Sequence, residues 1–154
     1  MANIRHLKLG RGAALLAGAL LLASIASAEP AGEVEEANDT ALSIELNRLD
    51  AAENTCKASL VVSNGTGTGF ESLVLDLVMF DSDGIIAGRM AVELAPLPPA
   101  KTSVRAFSLG GMECESVGRV LLNTVVACET AEGEQDRCLE MIRTSSRTDV
   151  PFIE

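Results

Sequence analysis

Tryptophan and tyrosine are absent from this chain of 154 residues, and its one histidine is His6. Without an imidazole beyond residue 6, Ser-His-Asp and Cys-His catalysis have no base, and zinc and copper lose their commonest ligand. The lack of tryptophan and tyrosine removes the aromatic platforms on which a sugar-cleaving cleft is built. Lysine is also scarce: past residue 28 only Lys57 and Lys101 occur, and neither forms a Ser-x-x-Lys pair for a serine nucleophile. No two of the four cysteines stand in a Cys-x-x-Cys arrangement, which argues against thiol-disulfide exchange.

Only one long uncharged run exists, Gly12 to Ala28, and it follows a basic start containing Arg5, Lys8 and Arg11. It ends in Ala26-Ser27-Ala28, followed by Glu29-Pro30. Small residues closing an apolar run behind a basic start predict a signal peptide over residues 1–28, cleaved after Ala28. The run is short for the roughly 20 apolar residues that span a bilayer, so no stable membrane anchor is expected after cleavage. Loss of the three cations takes the formal charge from −10 to −13. Such a surface repels phosphate backbones and anionic lipid, which excludes nucleic acid as a partner.

The 126 residues left by cleavage suit one domain with one core. Cys56, Cys114, Cys128 and Cys138 all lie in it, and an even cysteine count in a small exported domain predicts disulfides. Three connectivities are open. The favoured one joins Cys56 to Cys114 and Cys128 to Cys138, the second closing a short polar loop, Glu129 to Arg137, between two apolar segments.

Residues 29–41 are acidic with little to bury and predict a disordered leader. The single domain then spans residues 42–154. Leu42, Ile44 and Leu46 alternate with polar residues, the period of a half-buried strand. Cys56 to Asn64 repeats the pattern and meets a glycine-rich loop, Asn64 to Gly69. Leu73, Leu75, Leu77 and Met79 share one face of a third strand; Asp81-Ser82-Asp83-Gly84 turns it back into Ile85 to Leu94 as a hairpin. Pro96, Pro98 and Pro99 predict a rigid crossing. Thr102 to Leu109 follows as a strand with Val104, Ala106 and Ser108 facing one way and Arg105, Phe107 and Leu109 the other. Gly118 to Cys128 predicts a central strand. Cys138 to Arg143 suits either a short helix or a strand; a strand ending near Val150 is preferred. About seven strands with turns between them predict an all-β, antiparallel β-sandwich of immunoglobulin-like architecture, without the core tryptophan of antibody domains.

Two acidic stretches are candidate cation sites. Asp81 and Asp83 stand two apart before Gly84, but Met79 and Met90 occupy the end positions of a calcium loop, so a hairpin turn is favoured. Glu132, Glu134 and Asp136 lie in the loop closed by the second disulfide and suit a solvated face. Asn38-Asp39-Thr40 and Asn64-Gly65-Thr66 match glycan acceptors. Arg105, Arg119, Arg143 and Arg147 could form a basic spot. No cofactor and no catalytic residue are expected.

The segments Phe80-Asp-Ser-Asp-Gly84, Val104-Arg-Ala-Phe-Ser-Leu109, Gly118-Arg-Val-Leu-Leu-Asn123 and Ser145-Ser-Arg-Thr-Asp149 resemble those of a family of small exported bacterial proteins, often labelled Tat-pathway signal-sequence domain proteins. The resemblance spans roughly Leu42 to Val150. It implies a periplasmic location in a bacterium with two membranes and carries no catalytic residues. Arg11 stands alone between Gly10 and Gly12, so the general Sec route is expected rather than twin-arginine export. The function expected is a non-catalytic periplasmic binding or accessory module whose partner is another envelope protein. The alternative is an acidic-loop binder of a cation or small ligand.

Overall fold

The computed structural model describes residues 40–154. The predicted signal peptide and nearly all of the predicted leader lie outside the described residues. Strand β1 begins at Leu42, where alternation begins in the sequence, and runs to Ala52; β2 spans Thr55–Asn64, β3 Phe70–Asp81, β4 Ile86–Glu93 and β5 Thr102–Ser108. One turn of 3₁₀ helix, Cys114–Ser116, leads into β6, Val117–Thr130. Then come β7, Gly133–Glu134; a single helical turn α1, Cys138–Met141; β8, Ile142–Ser146; and β9, Phe152–Ile153. Seven of these nine strands are longer than two residues.

The strands form two sheets, in the orders β5-β2-β1-β8 and β4-β3-β6-β7, with β9 also pairing β6. This is the immunoglobulin-like partition, in which the first, second and fifth strands share a sheet and the third and sixth lie together in the other. The pairs are antiparallel except at the C-terminal end of the chain, where β8 joins β1 and β9 joins β6 in parallel. Residues 139–148 resolve as helix and then strand: α1 ends at Met141, and β8 stops at Ser146 rather than near Val150.

Period-two burial drives the sandwich. Leu42, Ile44 and Leu46 from β1 and Leu60 and Val62 from β2 meet Leu73, Leu75 and Leu77 from β3, all at most 2% exposed. Arg105 and Phe107 take the inward phase of β5, while Val104 on the other face is 62% exposed. Both favoured disulfides are present. Cys56–Cys114 joins β2 to the 3₁₀ turn across 58 residues, and Cys128–Cys138 joins β6 to α1 across 10. With only two of the four phenylalanines in the core cluster, Phe70 and Phe152, and Phe107 packed against it, these two links supplement a core built from aliphatic side chains.

The crossing from one sheet to the other is pinned by one side chain. Asn64 falls on the inward phase of β2 and is 2% exposed. Its Nδ2 lies within hydrogen-bond distance of the carbonyls of Thr68, Leu97 and Pro98, and its Oδ1 accepts from the main-chain N–H and hydroxyl of Thr66. Asn64 thereby ties the glycine-rich loop to the proline crossing, and a buried amide nitrogen occupied in this way is closed to a glycan in the folded domain. Arg105 holds the other end of the crossing, donating from Nε to Leu94 O and from Nη2 to Pro96 O.

Candidate functional site

On the β4-β3-β6 sheet the inward side chains of β3 are Leu73, Leu75, Leu77 and Met79, so Val74, Asp76, Val78 and Phe80 point outward. Register sets Glu93, Ala91 and Arg89 of β4 beside Val74, Asp76 and Val78. On the other side β6 brings Thr124, Leu121 and Arg119 beside Asp76, Val78 and Phe80.

A carboxylate at the centre of this face is held by a cation and an amide. Arg89 donates from Nε and Nη2 to the two oxygens of Asp76, each at 2.7 Å, and Asn123 Nδ2 donates to Asp76 Oδ2 at 2.6 Å. The Asp76 side chain is 8% exposed beneath them, whereas that of Arg89 is 64% exposed. The hydrogen bonds from Arg89, then that from Asn123, outweigh the cost of burial and hold the Asp76 pKa below its ordinary value. Arg89 is raised by the same pairing.

Next to this network the Arg119 guanidinium lies over the Phe80 ring, 4.4 Å from its centroid. No acid pairs with Arg119 among the described residues, and its Nε has no hydrogen-bond partner. With Val78, Leu121 and the half-exposed Ile153 alongside, the outer face combines a fixed polar centre with apolar surroundings and a stacked cation. Aromatic and arginine side chains held in this manner are the anchors that dominate protein interfaces.

The acidic candidates sit elsewhere. Asp81 and Asp83 are in the β3–β4 turn, while Glu132, Glu134 and Asp136 belong to the β6–β7 hairpin and its exit, at the opposite end of the same sheet. Asp81 Oδ1 accepts from the N–H of Asp83 and Ile85, so this carboxylate organises the hairpin turn. In the second hairpin Thr130 Oγ1 accepts from Glu132 N and Gln135 Nε2, leaving the carboxylates exposed. Among the described residues no group of three His, Cys, Asp or Glu side chains is placed to hold a metal ion. The four arginines do not gather either: Arg105 and Arg147 serve opposite edges of one sheet, Arg147 pairing Glu45 at 2.9 Å, while Arg119 lies on the other sheet and Arg143 bonds the carbonyls of Glu140 and Ile142.

Sequence reasoning missed the Asp76–Arg89–Asn123 network. Its signal was present: Asp76 interrupts the apolar run Leu73 to Phe80, and Arg89 is the one cation on the returning strand. A carboxylate there demands a partner across the hairpin.

No protein-family model matches the chain, and no curated protein matches it. Among solved structures, that of IrmA from Escherichia coli is similar, with 16% identity and a TM-score of 0.54 over 68% of this chain and 90% of that one. The likeness is one of fold. No helix of the described residues is long and apolar enough to cross a membrane. Two disulfides in an all-β domain suit an oxidising compartment outside the cytoplasm.

Proposed function

We propose that this chain is a non-catalytic binding module of the bacterial envelope, exported by its N-terminal signal sequence, that engages another envelope protein through the outer face of the β4-β3-β6 sheet. The observation that carries the reading is the Arg89–Asp76–Asn123 network beside the Arg119–Phe80 stack. An arginine fork already locked on a carboxylate loses little freedom on binding, and the stacked Arg119, which pairs with no acid among the described residues, offers its charge to an acceptor on the partner. The absence of any imidazole beyond His6 supports a binding role over a catalytic one. The resemblance to small exported bacterial proteins supports a periplasmic location. The fold shared with IrmA supplies a scaffold and no function.

Crosslinking the tagged protein in its native envelope tests this reading. A discrete partner should be captured by the wild type and lost in Arg89→Glu/Arg119→Glu, both variants at side chains outside the core. Capture unchanged by this double substitution overturns the choice of face. Stabilisation by calcium, with no protein captured, would replace the reading with cation binding.

A further inference from the structure

The β6 strand is 14 residues long, yet its edge away from β3 is paired only at its two ends. Near the start, Val120 and Leu121 pair with β9, and Val120 N donates to Pro151 O at 2.9 Å. Near the finish, Glu129 and Thr130 pair with β7, and Gln135 N donates to Cys128 O at 2.9 Å. Among the described residues no strand pairs with this edge over the six residues from Leu122 to Ala127. The lane is interrupted because the chain leaves it: after Glu134 it turns toward α1, where Cys138 is fastened back to Cys128, and it returns only at Phe152.

The gap is bordered by two grooves. One, of about 290 Å³, runs along Thr124 to Cys128 against Glu134, Asp136 and Leu139. The other, of about 380 Å³, lies between Leu121 and Asn123 on one side and Leu139, Glu140, Arg143 and Glu154 on the other. Leu139 lines both and is 39% exposed, and Val126 beside the gap is 62% exposed.

We propose that this gap is a strand-addition site for an extended peptide segment of another protein, antiparallel to β6, apolar in its middle and basic at its N-terminal end. Six residues is the usual length of a strand, so one short segment fills the lane between β7 and β9. Its main chain pairs with the open edge while its side chains meet the two grooves in turn, first the one along Thr124 to Cys128 and then the one along Leu121 to Asn123, the mode by which sheet edges take up peptides. Antiparallel entry continues the direction in which β7 pairs with β6. It also sets the segment's N-terminal end beside Glu134 and Asp136, and these acids favour lysine or arginine there. The outer edges β4, β5 and β8 have no such brackets to set length and register. The inference rests on the binding-module reading but uses the open edge of β6, which meets the outer face at Leu121 and Asn123.

The test uses the full oxidised chain and an acetylated, amidated probe of sequence Lys-Val-Thr-Val-Thr-Val. Titration calorimetry reads the affinity, and amide hydrogen exchange reads the location. The probe should bind, slow exchange within Leu122 to Ala127, and lose its affinity when alternate amides are N-methylated. Glu134→Lys/Asp136→Lys, two exposed positions that leave the fold intact, should weaken it about tenfold at low salt and favour the probe with glutamate in place of lysine. No binding at millimolar probe, equal binding of the two probes, protection at β4 or β5 instead, or a dimer of the chain already protecting Leu122 to Ala127 would each overturn the proposal. Arg119→Glu, which leaves the Arg89–Asp76–Asn123 network in place and lines neither groove, separates the two claims: the probe should bind this variant as it binds wild type, whatever becomes of capture through the outer face.

Discussion

Arg89 holds Asp76 with both arms of its guanidinium, Nε to Oδ1 and Nη2 to Oδ2, each at 2.7 Å across the β3–β4 hairpin. Two parallel bonds fix an angle as well as a distance, which lysine could not do. The pairing lets a charged residue occupy the middle of an otherwise apolar strand on the outer sheet face.

This arrangement gives stability a pH dependence. Asp76 and Glu93 both have pKa values below the ordinary carboxylate range. For Asp76 the hydrogen bonds from Arg89 lead. For Glu93 burial opposes ionisation, but the N–H groups of Leu73 and Ala95, the Ser72 hydroxyl and the N–H of Leu94 together outweigh it. A depressed folded pKa contributes stability above the unfolded value that is lost as pH falls through the folded one. Urea midpoints should therefore hold steady down to about pH 4 and drop below it. In Asp76→Asn/Glu93→Gln the midpoint should be lower at neutral pH and the acid drop shallower; an acid limb as steep as wild type would refute the assignment.

Asn64 should be among the costliest polar positions. Asn64→Ala leaves the Pro98 carbonyl and the Thr66 N–H without their partner and takes one of two donors from the Leu97 carbonyl, which keeps the Phe70 N–H, at about 3 kcal/mol. Asn64→Asp should be worse, since it presents a carboxylate to three carbonyls in place of a donor. Chemical denaturation measures both, and a loss under about 1 kcal/mol in Asn64→Ala would show that the loop and crossing are held by other contacts.

The two disulfides should contribute unequally. Loop entropy assigns about 4 kcal/mol to the 58-residue separation of Cys56–Cys114 and about 3 kcal/mol to the 10-residue separation of Cys128–Cys138. Paired Cys→Ala replacements, compared by urea denaturation, should follow that order. Equal losses would place the difference in native packing instead.

Gly118 is where β6 passes the Asp81–Ser82 backbone, and an added Cβ would collide with the Asp81 carbonyl. Gly118→Ala should cost about 3 kcal/mol, because main chain rather than a flexible side chain must give way. Gly84→Ala, at a φ of +80° with open space around it, should cost less, through backbone strain alone. A melting series comparing the two checks the ranking.

Much of this fold was legible because its strands obey simple alternation. Leu42, Ile44 and Leu46 predict both where β1 starts and which side it buries, and the turn Asp81 to Gly84 marks the β3–β4 hairpin. The disulfide pairing followed from one short loop. The helical turn before β8 was not legible, because Cys138 to Met141 is too short for a helical period to register against a strand's. The parallel placements of β8 and β9 escaped for another reason: they are decided by where the sandwich leaves a lane open, which no local pattern encodes. The binding face was hidden similarly. Asp76, Arg89 and Asn123 are distant in sequence and meet only through the registers of β3 with β4 and β6.

The most direct test of the central claim is a photo-crosslinking scan in the living envelope, with the reactive residue placed at Ala91 on the outer face of the second sheet and at Ala106 on the outer face of the first. Both sites are exposed. The account predicts one discrete protein adduct from Ala91, diminished by Arg89→Glu/Arg119→Glu, and none from Ala106. Adducts from Ala106 alone, or none from either position, would contradict it.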